Sequence, residues 1–307
     1  MEGLLSLVSL TFALEIDLDS TYYLIFLKPL ISYSPEIAIK LFEHLKTKSN
    51  SNLDIKVYTN LIDGILRKSE SFEVAYKLIE EIPPQLKTIK VERTISNVLL
   101  QAYFRYYDME RCLNFYSNML ESPGTDIYTY SILFQRFSHY KKANVNPTYE
   151  PNLDMFREDM KKYNIRPNGI IYNMLIKCYL KINYSKALEI LDERIACDFK
   201  PDEYTYAMFT IYASKVKKDI SLTLYWFEKI IEAGMKPIPE VVTAVLNVIK
   251  REHDIESAKL VKDLLNRCRY KPSLSDHIDR FVFNVENNIP PINIKKPKKR
   301  WLKVNIG

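Results

Sequence analysis

The densest chemistry in this chain is the run Lys295-Lys296-Pro297-Lys298-Lys299-Arg300-Trp301. Cations beside an indole suit contact with phosphates and with a stacked base. The run fits a solvated disordered end, an RNA- or ribosome-binding arm, and a nuclear-localisation-like signal, and the three readings stay open. Catalytic groups are harder to assemble. His44, His139, His253 and His277 are isolated, with no Cys or second His at helical spacing, which argues against zinc. Cys112, Cys178, Cys197 and Cys268 show no paired spacing and read as reduced, buried thiols of an intracellular protein. There is no Gly-rich phosphate loop and no nucleophile elbow. Carboxylates such as Glu189 and Glu193, beside Arg194, read as solvated helix faces. No catalytic residue, metal or cofactor is expected.

Charge sharpens the same point. The chain of 307 residues carries a net charge of +6, and the last nineteen residues hold six bases and no acid. The preceding 288 residues therefore balance, and any nucleic-acid site among them must come from local placement of charge. With 47% apolar residues the chain can bury a core, and with six glycines it favours helices over turn-rich sheets. No apolar run reaches the roughly 18 residues of a membrane span. The early acids Glu2, Glu15, Asp17 and Asp19 have the wrong sign for a mitochondrial presequence or a secretory leader.

The elements that could place such charge are set by a period. Arg166-Pro167-Asn168-Gly169-Ile170-Ile171-Tyr172-Asn173-Met174-Leu175-Ile176 contains a helix stop, a turn and a helix start. Lys200-Pro201-Asp202 follows 34 residues later, Lys236-Pro237-Ile238 after 36 more and Lys271-Pro272-Ser273 after a further 35. A period of this length signals stacked two-helix units. It predicts an all-α, right-handed α-solenoid of about seven helix-turn-helix repeats: 19–54, 55–92, 93–126, 127–168, 169–202, 203–238 and 239–273. Residues 1–18 form a leading helix where half a repeat is expected, which a truncated gene or an extra cap would explain. Residues 274–288 read as a capping helix, and 289–307 as a basic, disordered tail. Pro29 should kink or end the first helix. The excess length of the fourth repeat, near Asn144 to Asn152, falls on a loop between its two helices.

The fifth unit resembles the pentatricopeptide repeat, through Tyr172-Asn173-Met174-Leu175-Ile176, the helix-B Ala187 and the closing Lys200-Pro201-Asp202. Tetratricopeptide repeats share the length but place a small residue where this chain has Ile62, Leu100, Phe134, Ile176 or Leu246. The resemblance implies a groove lined by first helices that binds single-stranded RNA, one base per repeat. It implies that the fifth and last residues of each repeat face the base. Asn97 with Asp126, and Asn173 with Asp202, then look like uracil readers. Ser131 with Asn168, and Thr243 with Ser273, look purine-leaning. Thr59 with Glu92 is ambiguous, Ala207 with Ile238 lacks edge-contacting groups, and Tyr23 is atypical. Eight residues past the reading position stand Arg67, Arg105, Lys181, Lys215 and Arg251, with Ile31 and His139 as exceptions. Such a column suits phosphate tracking; it also suits the solvated end of a helix.

The expected function is a non-catalytic RNA-binding protein of mitochondrial RNA processing, stability or translation, rRNA maturation included. Its partners would be U/A-leaning single-stranded RNA and a mitochondrial ribosome or processing enzyme. The rival is a protein–protein scaffold, favoured by the departures at Tyr23, Ala207 and Ile238.

Overall fold

The computed structural model describes residues 20–48, 53–69, 71–139 and 153–270, with a few helical residues near each end. The leading helix, the loop at 144–152, Ser273, the capping helix and the basic tail lie wholly or mostly outside the described residues. Among the described residues the fold is all-α, an antiparallel run of paired helices, with no helix long and apolar enough to cross a membrane.

The chain divides into two compact units, 1–175 and 176–307. In the first unit, α1 (Ser20–Tyr33), α3 (Ile55–Lys68), α5 (Ile89–Tyr106) and α7 (Ile127–His139) are the first helices of successive pairs. Their partners are α2 (Pro35–Lys48), α4 (Phe72–Glu80), α6 (Met109–Glu121) and α8 (Leu153–Lys162). Each first helix touches its own partner or the next first helix, which is how a solenoid buries surface that one pair cannot. Leu27, Leu30, Phe42, Leu61, Ile62 and Ala102 belong to one continuous core. A second knot of rings, Tyr116, Tyr130, Phe134 and Phe156, joins α6, α7 and α8 largely edge to face.

Helix α9 (Gly169–Ile182) carries the boundary between the units inside it. The second unit continues with α10 (Tyr184–Ala196), α11 (Glu203–Tyr212) running into a π turn (Ala213–Lys217), α12 (Ile220–Glu232), α13 (Pro239–Glu252) and α14 (Ile255–Arg267). Its core gathers Phe227, Ile230, Val241, Val245, Ile249 and Val261.

Helix starts are fixed by short polar side chains that satisfy the free N–H groups of the first turn. Asp54, Asp108, Asp126, Asn168, Asn183, Asp202, Asp219 and Asp254 each accept such a bond. The proline-marked joint at 166–169 is thus a cap as well as a turn.

Three expectations need correction. Of the kink or end expected at Pro29, the end is absent, because α1 runs on through it to Tyr33. The flanking contacts of α1 with α2 and α3 hold it where the lost hydrogen bond alone would favour a break. Cys197 is exposed and Cys268 partly so; Cys112 and Cys178 alone are buried, and desolvation pushes both of these thiols up to about 12. Arg194 is not on a solvated face; it is 3% exposed.

Candidate nucleic-acid interface

The reading position lies in the second turn of a first helix for Thr59, Ser131, Asn173, Ala207 and Thr243, and in the third turn for Asn97, whose helix starts earlier at the Thr88 cap. The closing position is the cap of the next first helix at Asp126, Asn168, Asp202 and Ile238, and is not at Glu92. Three of the expected pairs fall within one unit and among the described residues: Thr59/Glu92, Asn97/Asp126 and Ser131/Asn168. One of the three is in hydrogen-bond contact. Asn97 donates through Nδ2 to Asp126 Oδ1 at 3.1 Å.

That pair is part of a closed network. Thr129 donates its hydroxyl to Asn97 Oδ1 at 2.7 Å and accepts the Asp126 backbone N–H at 3.1 Å. Asp126 Oδ1 also caps α7, accepting from the backbone of Tyr128 and Thr129 at 3.0 Å each. Asp126 Oδ2 accepts nothing from the described residues. One carboxylate oxygen therefore holds the helix, and the other has no partner among the described residues.

The other readers are arranged differently. Ser131, Thr59 and Thr243 donate their hydroxyls backwards to Ile127, Lys56 and Pro239 carbonyls of their own helices. Each then offers lone pairs, not a proton, to anything outside. Asn168 spends its Oδ1 on the Ile171 N–H at 3.0 Å. Glu92 is not at a helix start at all, since Thr88 caps α5 and places Glu92 inside the helix. Asn173 is half-buried on α9, in the first unit, and Asp202 belongs to the second. Ala207 is buried in the core of the second unit, and Ile238 starts α13 with no side-chain cap.

Asp202 shows how the same cap can be differently committed. Its Oδ1 accepts Thr205 N–H at 2.8 Å in a reciprocal capping box. Its Oδ2 takes Arg194 Nη2 at 3.1 Å. Arg194 also donates to Thr205 Oγ1 and to the Phe199 and Lys200 carbonyls. A buried guanidinium with this many acceptors clips the loop 197–202 to α10.

The basic column lies in the last turn of the first helices, for Arg67, Arg105, Lys181 and Arg251, and in the π turn for Lys215. All five are exposed. A cation there also faces the negative end of a helix dipole. Two of them reach the end of the preceding first helix: Arg105 Nη1 to Leu66 O at 2.6 Å and Arg251 Nη2 to Lys218 O at 2.9 Å. Arg67 is forked onto Asp63 through Nε at 2.9 Å and Nη2 at 2.8 Å. Lys215 has no partner among the described residues. Ile31 breaks the column because it is 5% exposed and packs against Gly64, so a charge there would be buried.

Sequence reasoning passed over two groups of residues. Tyr128, Ile170 and Tyr204, each two residues past a cap, are 70%, 62% and 51% exposed. A large apolar face held out beside three successive reading positions is available for stacking. Thr129 and Thr205, both fully buried, organise the two aspartate caps. The signal was present: Asp-x-Tyr-Thr-Tyr occurs at 126–130 and again at 202–206. Among the described residues no three His, Cys, Asp or Glu side chains converge as a metal site.

No protein-family model matches the sequence. A chloroplastic pentatricopeptide repeat-containing protein of Arabidopsis thaliana is 29% identical over 177 residues, which covers 55% of this chain and 32% of that protein. The chain thus spans about a third of the length of the curated relative it matches. The crystal structure of the maize pentatricopeptide repeat protein PPR10 superposes with a TM-score of 0.57 at 18% identity, over 94% of this chain and 40% of that one. PPR10 in complex with an 18-nt psaJ RNA element gives 0.47 at 15% identity, over 94% of this chain and 48% of that one. The fold is a helical-repeat solenoid of the class defined by these proteins. In sequence and in fold alike, the chain resembles the pentatricopeptide repeat family.

Proposed function

We propose that this chain is a non-catalytic, sequence-preferring binder of single-stranded RNA. It acts on transcripts of an organelle, in processing, stability or translation, rRNA maturation included. Its relative in Arabidopsis is chloroplastic; the Tyr-, Lys-, Ile- and Asn-rich composition leads us to place this chain in a mitochondrion. The observation that carries the reading is the Asn97–Asp126 contact. Two residues 29 apart in sequence meet in one hydrogen bond, which leaves a carboxylate oxygen beside an amide N–H. A donor next to an acceptor is what a base edge requires. The exposed bases at the helix ends supply the phosphate contacts, and the seven units 19–54 to 239–273 supply the spacing.

The alternative is a scaffold, for instance in a mitochondrial ribosome. Buried Ala207 and the internally paired Arg67 and Arg251 favour it, because such positions are withdrawn from a ligand. A mobility-shift series with short U/A-rich RNA against scrambled RNA separates the two. RNA reading predicts dissociation constants below about 1 μM at moderate salt, weaker for scrambled RNA. Absence of binding in that range leaves the scaffold.

A further inference from the structure

We infer that Thr129 is a positioning residue for base choice: its hydroxyl fixes the orientation of the Asn97 amide, and so sets how strongly that slot prefers uracil to cytosine. The inference rests on the RNA-reading function proposed above and adds to it a residue that does not itself face the base.

The network leaves one arrangement. A carboxylate accepts and does not donate, so the Asn97 atom facing Asp126 Oδ1 must be the NH2 group. That turns Oδ1 to Thr129, whose one hydroxyl proton has two acceptors in reach, Asn97 Oδ1 at 2.7 Å and Asp126 Oδ1 at 3.2 Å, and goes to the nearer. Thr129 is fully buried, so the amide oxygen that faces it cannot substitute water for the hydroxyl. What Asn97 has left is its second N–H, beside the open Asp126 Oδ2. This donor–acceptor pair matches the O4 and N3–H of uracil. Cytosine places an N4 amino group where uracil has O4, so donor would face donor. Replacing the Thr129 hydroxyl by a methyl strands Asn97 Oδ1 without a donor in an enclosed site. The amide cannot turn over, since that would set its oxygen against Asp126 Oδ1; it loses the bond that fixes its orientation, and the N–H it presents to uracil is no longer held in place.

Thr205 provides the matched control. It makes the same capping-box bonds to Asp202, and its hydroxyl oxygen also accepts from Arg194 Nη1. Loss of its hydroxyl removes an equivalent cap and leaves the Asn97 amide untouched.

The test is selection from a random pool of single-stranded RNA of about twelve nucleotides, bound by the full chain and sequenced. N97S identifies the nucleotide read by this slot. At that nucleotide the wild type is expected to favour uracil, T129S to keep the preference, and T129V to lower the uracil-to-cytosine ratio about 3- to 10-fold, the worth of one hydrogen bond. T205V should leave it unchanged. Melting curves check the folding of each variant, and T129A replaces T129V if the valine is not tolerated. An unchanged ratio in the folded T129V or T129A variant overturns the inference. So does an equal loss in T129S or T205V, since a bare packing or capping role predicts it. A wild-type pool with no enriched nucleotide fails earlier and overturns the RNA reading itself, and the role of Thr129 with it.

Discussion

At the scale of single residues, the candidate groove separates side chains by what else they must do. Lys215 has no other partner among the described residues, whereas Arg105 also holds the Leu66 carbonyl across to the preceding first helix. Both should contact phosphate, and they should respond differently to neutralisation. K215Q is expected to weaken RNA binding about equally for all sequences and to lower the salt slope by about 1, with the melting temperature unchanged. R105Q should lower the slope similarly and also cost about 1 kcal/mol of stability, because an orphaned helix-end carbonyl remains. Melting curves and binding at several salt concentrations check both; equal stability of the two variants would remove Arg105 from its capping role. The column itself was legible as a repeated spacing. Its double use was not, because the Arg105–Leu66 bond joins residues 39 apart, and nothing local in the sequence marks it.

At the scale of elements, the proline-marked joints were readable because a turn between helices needs the same few residues each time. Pro167, Pro201 and Pro237 each stand just before a cap. The third pair was harder: a 3-10 turn at Pro84–Leu86 delivers the chain to Thr88, so α5 starts a turn before the expected boundary at Arg93. Arg194 was misread because its periodic position resembles a charged face, and its burial comes from the returning loop 197–202. Close packing between α1 and α3 was equally hidden. Gly64 sits in the middle of α3, where glycine normally costs about 1 kcal/mol relative to alanine. The structure gives the reason: a methyl at Gly64 would collide with Cγ2 of Ile31. G64A is therefore expected to destabilise the first unit by about 1–3 kcal/mol despite its better helix propensity. I31V keeps Cγ2 and should not rescue it; I31A removes Cγ2 and should cost less in the G64A background than in the wild type. Additive costs in urea unfolding would contradict this packing.

At the scale of the whole molecule, the fold was the most legible feature, because a period near 35 residues and helical spacing within it both point to stacked pairs. The base-reading assignment was less so. Register alone treats five pairs alike, while the structure joins Asn97 to Asp126, turns the Ser131 and Thr59 hydroxyls back on their helices and moves Glu92 into α5. The slots are thus unequal, and specificity should concentrate where donor and acceptor are both presented. The same arrangement demands an unpaired base, since donors and acceptors on the base edge are already used in a duplex. The most direct measurement is the affinity of the full chain, by fluorescence anisotropy, for one labelled U/A-rich RNA as a single strand and annealed to its complement. The account predicts binding of the single strand at least about tenfold tighter than of the duplex, with both falling as salt rises. Equal affinity for the two forms, or no binding of either, would contradict it.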